Sequence, residues 1–253
     1  MELWVVFTIA AAATQALRTA VQRRMTATLG NLGASYIRFS YAFPLAWLFF
    51  VLYSGYSGTA LPDLPASFWL WINLAALTQV IFTILLVQLF SHRSFAAAVA
   101  FSKTEVLQTA IFEALILSVI VTLQTGVAIA LGVFATVLLS FAKANLAVAN
   151  LRAALFSRQV AIGLAAGAFL GFCTVCYGAA LHSMVGGDVI GNAMYAAAIG
   201  TTIQAICFGI YIFIVRREQF IASFVEWRQC SMAGVWAATT SICWFAGFAL
   251  YSV

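Results

Sequence analysis

Lys103 and Glu105 stand two positions apart near the middle of a long apolar run, Phe95–Leu117. A carboxylate at membrane depth costs several kcal/mol unless it is paired or hydrated, so it marks a functional site by default. At the period of an α-helix, Ser102, Glu105, Thr109 and Phe112 fall on one face, whereas Lys103 points roughly 200° away from Glu105. The two cannot pair within the helix. Lys103 must then find a carbonyl, an amide or a carboxylate across the bundle, or snorkel toward the helix end. The Glu105 face suits a proton, a cation or a small polar solute, and its structural alternative is a polar network that holds helices together. Glu113, two turns further along, comes close enough to the end of the run to reach the interface.

Other polar residues recur at helical spacing. Gln79 and Thr83 share a face, as do Thr201 and Gln204, and as do Trp236, Thr240 and Trp244. Amides and hydroxyls beside aromatic walls suit small amphipathic molecules. Each set alone reads equally well as hydrogen bonding between helices or as an interfacial aromatic. Gly163, Gly167, Gly171, Thr174, Gly178 and His182 form a stripe of small residues, which lets another helix backbone approach closely and is read first as packing. Arg18, flanked by Gln15 and Gln22 at helical spacing, is expected to snorkel. The odd set of cysteines, Cys173, Cys176, Cys207, Cys230 and Cys243, argues against a disulfide framework, and Cys173-x-x-Cys176 is read as packing rather than redox or metal chemistry. No phosphate-binding loop, zinc-protease helix or nucleophile-elbow string occurs, so neither an ATP-driven pump nor an intramembrane enzyme is expected. No cofactor or metal is required.

The elements that would position these residues follow from composition. Hydrophobic residues make up 64% of the chain and charged ones 8%, against roughly one quarter charged in soluble domains. That balance indicates an all-α polytopic membrane protein. Runs of the length needed for crossing, about 20 residues each, occur at Leu3–Val21, Ser35–Tyr53, Phe68–Phe90, Phe95–Leu117, Leu123–Ala142, Val160–Leu181, Ala193–Val215 and Met232–Tyr251. About eight transmembrane helices are therefore expected. The net charge of +5 is no nucleic-acid signal, because the Lys and Arg residues gather at the ends of the runs, where they meet lipid phosphates. Arg23, Arg24, Arg93, Lys143, Arg152, Arg158, Arg216, Arg217 and Arg228 all fall after odd-numbered runs, while the other loops hold Asp63 and Asp188. The positive-inside rule then places the odd-numbered loops in the cytoplasm and the N-terminus outside. The first and sixth runs, and the second and seventh, start at similar separations, as two five-helix units of opposite topology would. The expected organisation is a first repeat at 1–142, a connecting loop at 143–159 and a second repeat at 160–253. The second repeat holds three helices, so the chain is expected to be incomplete at its C-terminus.

With Tyr36-Ile37-Arg38-Phe39 opening the second run, a polar turn at Ser91-His92-Arg93-Ser94, Phe101-Ser102-Lys103-Thr104-Glu105 in the fourth and Gln124-Thr125-Gly126 to Gly132 in the fifth, the chain resembles the EamA-type permeases of the drug/metabolite transporter superfamily. It differs from them in reading Ser118-Val119 where members carry Gly-Glu, in placing Glu105 where many have Pro, and in holding only Asp63 between the second and third runs. The resemblance implies a ten-helix inverted-repeat fold and secondary transport of small metabolites, amino-acid-like solutes or drugs by alternating access across a bacterial inner membrane. Its partners would be membrane lipid, the solute, and either a second copy or another membrane chain. The competing expectation is a non-transporting membrane subunit or an inactive relic of such a transporter.

Overall fold

A computed structural model of the 253-residue chain describes residues 3–58, 60–90, 102, 104–118, 122–143 and 158–250. It is all-α. The helices among the described residues are α1 (Leu3–Ser40), α2 (Ala42–Ser57), α3 (Ala66–Phe90), α4 (Glu105–Ile116), α5 (Leu123–Lys143), α6 (Arg158–Ser183), α7 (Val189–Val215), α8 (Arg217–Val225) and α9 (Trp227–Leu250). Four segments among the described residues are long and apolar enough to cross a membrane: Leu3–Ser57, Ala66–Leu89, Val160–Ser183 and Val189–Val215. Such helices are compatible with an integral membrane protein.

The first of these segments reverses on itself. Gly30 has φ 68 and ψ 178, a conformation open to glycine and strained for other residues. Gln22 Nε2 donates to the Ala34 carbonyl at 3.0 Å, although in a continuous helix these residues would lie roughly 18 Å apart at 1.5 Å per residue. The chain therefore turns back at Gly30 into a helical hairpin. This corrects the expected loop between Val21 and Ser35: Arg23 and Arg24 lie on helix, and the turn needs one glycine.

The helices fall into two compact units, one made of residues 1–77 and 176–253, the other of 78–175. In the first, α1 lies along α9, α2 packs on α7 and α9, and α7 also meets α1 and α9. Small residues permit these approaches. A Cβ on Gly234 of α9 would come 2.7 Å from the backbone carbonyl atoms of Tyr41, and one on Gly209 of α7 would come 2.8 Å from the Tyr36 hydroxyl. The short helix α8 docks through Phe220 and Phe224, whose rings contact Tyr36 at 5.5 and 6.3 Å. Its Gln219 accepts the Gly33 N–H at 3.1 Å, satisfying a donor at the start of the second limb of α1. Elsewhere in this unit the two acidic loops are tied together. Asp63 and Val185 exchange backbone hydrogen bonds of 2.8 and 3.2 Å. Asp188 caps α7 through the Ile190 and Gly191 N–H groups at 3.1 and 2.9 Å and accepts from the Tyr53 hydroxyl at 2.8 Å.

In the second unit α4 packs against α5. The link between them passes through Ser118, whose φ of 55 lies in the left-handed region that favours glycine.

The distribution of side chains suits lipid rather than water. On α1, Arg18 and Gln22 are each 2% exposed while the neighbouring Leu17 is 47% exposed. A soluble helix would show the reverse.

Candidate functional site

The polar face of the fourth apolar run is covered by the glycine stripe of the sixth. Glu105 opens α4, so its carboxylate sits in a first helical turn rather than midway along an unbroken helix. There the macrodipole favours a negative charge by about 0.3–1 kcal/mol. Its Oε2 is enclosed. On α6, a Cβ added at Gly167 would lie 3.0 Å from the Ser102 carbonyl and 3.3 Å from both the Glu105 N and Gln108 Oε1. One added at Gly171 would lie 2.9 Å from Thr109 Oγ1, 3.0 Å from the Thr109 N and 3.2 Å from the Glu105 carbonyl. A turn further on, Phe112 meets Phe172 edge to face at 5.7 Å. The residues that share a face in the sequence thus share a helix contact, in which the α6 glycines lie directly against backbone atoms of Ser102, Glu105 and Thr109. Gln108, which is not among the residues that the spacing singled out, belongs to the same face. It donates to Thr104 Oγ1 at 3.1 Å and to the Leu164 carbonyl at 3.5 Å. Its position one turn after Glu105 is the signal that could have found it.

The remaining candidates in this unit are Lys103, Ser102, Gln79, Thr83 and Gly163. Lys103 lies outside the described residues. Ser102 is buried. Thr83 is buried on α3 and donates to the Gln79 carbonyl of its own helix at 2.8 Å. Gly163 is buried within α6.

In the first unit the polar candidates join helices in pairs. Gln204 of α7 donates through Nε2 to the Tyr177 hydroxyl of α6 at 2.7 Å, the Tyr177 ring lies 4.5 Å from that of Phe245 on α9, and Gly200 leaves room for Tyr177 at 3.3 Å. Tyr177 carries no signal in the sequence, because its partner is on another helix. Thr201 turns its hydroxyl onto the Ala197 carbonyl at 2.7 Å. Along the α1–α9 contact, the Thr240 and Thr14 hydroxyls lie 2.9 Å apart, and Trp244 Nε1 donates to Gln15 Oε1 at 2.9 Å. Trp236 is half-buried, and its carbonyl accepts from Thr240 at 2.6 Å. Gly178 faces open space, with nothing within 4 Å of an added Cβ. His182 is exposed, its Nδ1 2.8 Å from the Gly178 carbonyl.

Arg18 departs most from its expected role. It does not snorkel: the side chain is 2% exposed and faces the interior of the first unit, and its Nε and Nη1 are enclosed without a hydrogen-bond partner. Arg38, on the returning limb of α1, is also buried at 5% exposure and lies near enough to act on Arg18 electrostatically.

Compared with known proteins, the chain matches no protein-family model, no curated protein and no solved structure.

Proposed function

We propose that this chain is a secondary membrane transporter for small metabolites, amino-acid-like solutes or drugs, built from about eight spanning helices and acting by alternating access. The observation that carries the reading is the direct apposition of Gly167 and Gly171 to the polar turn that holds Glu105. A glycine-lined contact has little interdigitation to undo, so two helices can slide or rock across it while a carboxylate in the contact gains or loses access to solvent. Burial of Arg18, Gln22 and Gln204 alongside exposed leucines supports a bundle whose interior handles polar groups and whose outside meets lipid. Glu105 would be the proton- or cation-responsive group, with Ser102 and Thr109 beside it. Gln79, Thr83, Gln204, Trp236, Thr240 and Trp244 would serve as secondary contacts. The resemblance to EamA-type permeases, an inverted repeat, a bacterial inner-membrane location and cytoplasmic odd-numbered loops belong to the same reading.

A second reading draws on a specific observation. Gln204–Tyr177, Thr240–Thr14 and Trp244–Gln15 are spent on one another, as they would be in a membrane subunit whose polar groups only fasten helices. Flux decides between them. Proteoliposomes containing the protein, loaded with a labelled metabolite mixture, should release at least one solute faster than empty vesicles, and Glu105→Gln should slow that release by tenfold or more. Release no faster than from empty vesicles sinks the transporter reading.

A further inference from the structure

Arg18 has no structural duty that accounts for its position. A guanidinium removed from water is retained at a cost unless acceptors meet its N–H groups. Here Nε and Nη1 are both enclosed and meet none. Of the charged groups among the described residues, the one that acts on Arg18 is Arg38, which repels it. Two buried cations thus converge inside the first unit, one on each limb of the α1 hairpin. The side chains on either side along α1 are already committed: Gln15 to Trp244, Thr14 to Thr240 and Gln22 to the Ala34 carbonyl. Gln22 keeps its Oε1, yet neither Nε nor Nη1 of Arg18 has a hydrogen-bond partner. The antiparallel pairing of Thr14 with Thr240 also brings Arg18 level with Trp236 and Ala237 on α9, where no acidic residue occurs.

We infer that Arg18, assisted by Arg38, binds the oxyanion of a small solute, a carboxylate or a phosphate, within the α1–α9 contact. The bound anion supplies the acceptors that Nε and Nη1 lack and offsets the repulsion between the two guanidinium groups, as charge-assisted hydrogen bonds to arginine do. The position along the helix favours a solute over a lipid headgroup. Arg18 lies roughly 18 Å along the helix from the Gly30 turn at 1.5 Å per residue, and its side chain points into the bundle. The assignment deepens the transport reading and rests on it for the word solute, because it makes the cargo class anionic. The site itself stands on the burial of Arg18.

The test is isothermal titration of acetate, succinate, citrate and inorganic phosphate into the full-length protein in phosphatidylcholine nanodiscs. A parallel set of discs containing phosphatidylglycerol is followed by thermal unfolding. At least one soluble anion should bind saturably in the phosphatidylcholine discs, with affinity falling tenfold or more in Arg18→Gln and several-fold in Arg18→Lys. The unliganded Arg18→Gln protein should melt no lower than the wild type, because Nε and Nη1 have no acceptor to lose; an arginine serving only as a structural tie would lower it. Arg18→Lys keeps the charge and serves where Arg18→Gln does not fold. Binding equal to wild type in both variants overturns the site. Stabilisation by phosphatidylglycerol with no heat from any of the four anions also overturns it, in favour of a lipid headgroup. Anion binding without anion flux in proteoliposomes sinks the transport reading and leaves the site. Anion flux unchanged by Arg18→Lys does the opposite.

Discussion

Gly171 and Gly178 look alike in the sequence, two small residues on one stripe of α6, and differ entirely in what surrounds them. A Cβ at Gly171 would press on Thr109 and on the Glu105 carbonyl at 2.9–3.2 Å, whereas one at Gly178 meets nothing within 4 Å. Gly171→Ala is therefore expected to destabilise by about 1–3 kcal/mol through overpacking. Gly178→Ala should be neutral or stabilising by up to about 1 kcal/mol, because alanine is the better helix former. Unfolding temperatures of the two variants in one detergent check this; equal losses would mean that α6 packs along its whole stripe. The Gln204–Tyr177 hydrogen bond joins α6 to α7 at 2.7 Å. A double-mutant cycle of Gln204→Leu with Tyr177→Phe should show a coupling of about 0.5–1.5 kcal/mol, and additivity of the single variants would mean that the contact contributes nothing. Residue types and spacing identified the Glu105 face and the glycines that cover it. They did not identify Tyr177 or the inward direction of Arg18, because both depend on what another helix presents.

At the scale of elements, the α1 hairpin rests on one backbone conformation and one side chain. Gly30 sits at φ 68, and a Cβ there would come 2.6 Å from Gln219 Nε2 and 2.8 Å from its Cδ. Gly30→Ala is expected to cost about 1–3 kcal/mol from backbone strain alone. Gln219→Ala should cost about 1 kcal/mol, as loss of a helix cap does, because the Gly33 N–H would lose its acceptor. Chemical denaturation of both variants tests the pair, and a harmless Gly30→Ala would show that the reversal does not need glycine. A smaller effect of opposite sign is expected after α4. Ser118 occupies the left-handed region at φ 55, so Ser118→Gly should stabilise by about 1 kcal/mol, read as a higher unfolding temperature. The existence of α2, α3, α6, α7 and α9 was legible from their apolar runs. A reversal between the first two runs was expected from Arg23, Arg24 and Asn31, but its confinement to Gly30 was not, since helix continues past both arginines up to that one residue.

For the whole molecule, the acidic loops and the arginine-rich segments make opposite predictions of exposure. Asp63 lies in a loop tied to Val185, and Arg216 precedes α8; both are solvent-accessible. In a cysteine-free background, a membrane-impermeant maleimide applied to intact cells should label Asp63→Cys and leave Arg216→Cys unlabelled until the cells are opened. The reverse pattern would place the odd-numbered loops outside and invert the proposed orientation. The clamp at the acidic loops has its own test. Asp188→Asn weakens an acceptor shared by Tyr53 and two N–H groups of α7 and should lower stability by about 0.5–2 kcal/mol, the range for helix caps.

The amino-acid sequence by itself determined the class of this protein. With 8% charged residues and repeated apolar runs, it specified long helices, which satisfy their own backbone hydrogen bonds and are therefore compatible with lipid. It also determined which faces of those helices are polar, because helical periodicity is a local property of the chain. What the tertiary structure alone decided is where those faces go. It set the α6 glycines against the Glu105 turn, spent Thr240 and Trp244 on Thr14 and Gln15, and turned Arg18 inward beside Arg38. Such choices depend on contacts between segments far apart in the chain, and no local pattern records which partner a buried donor meets, or that it meets none.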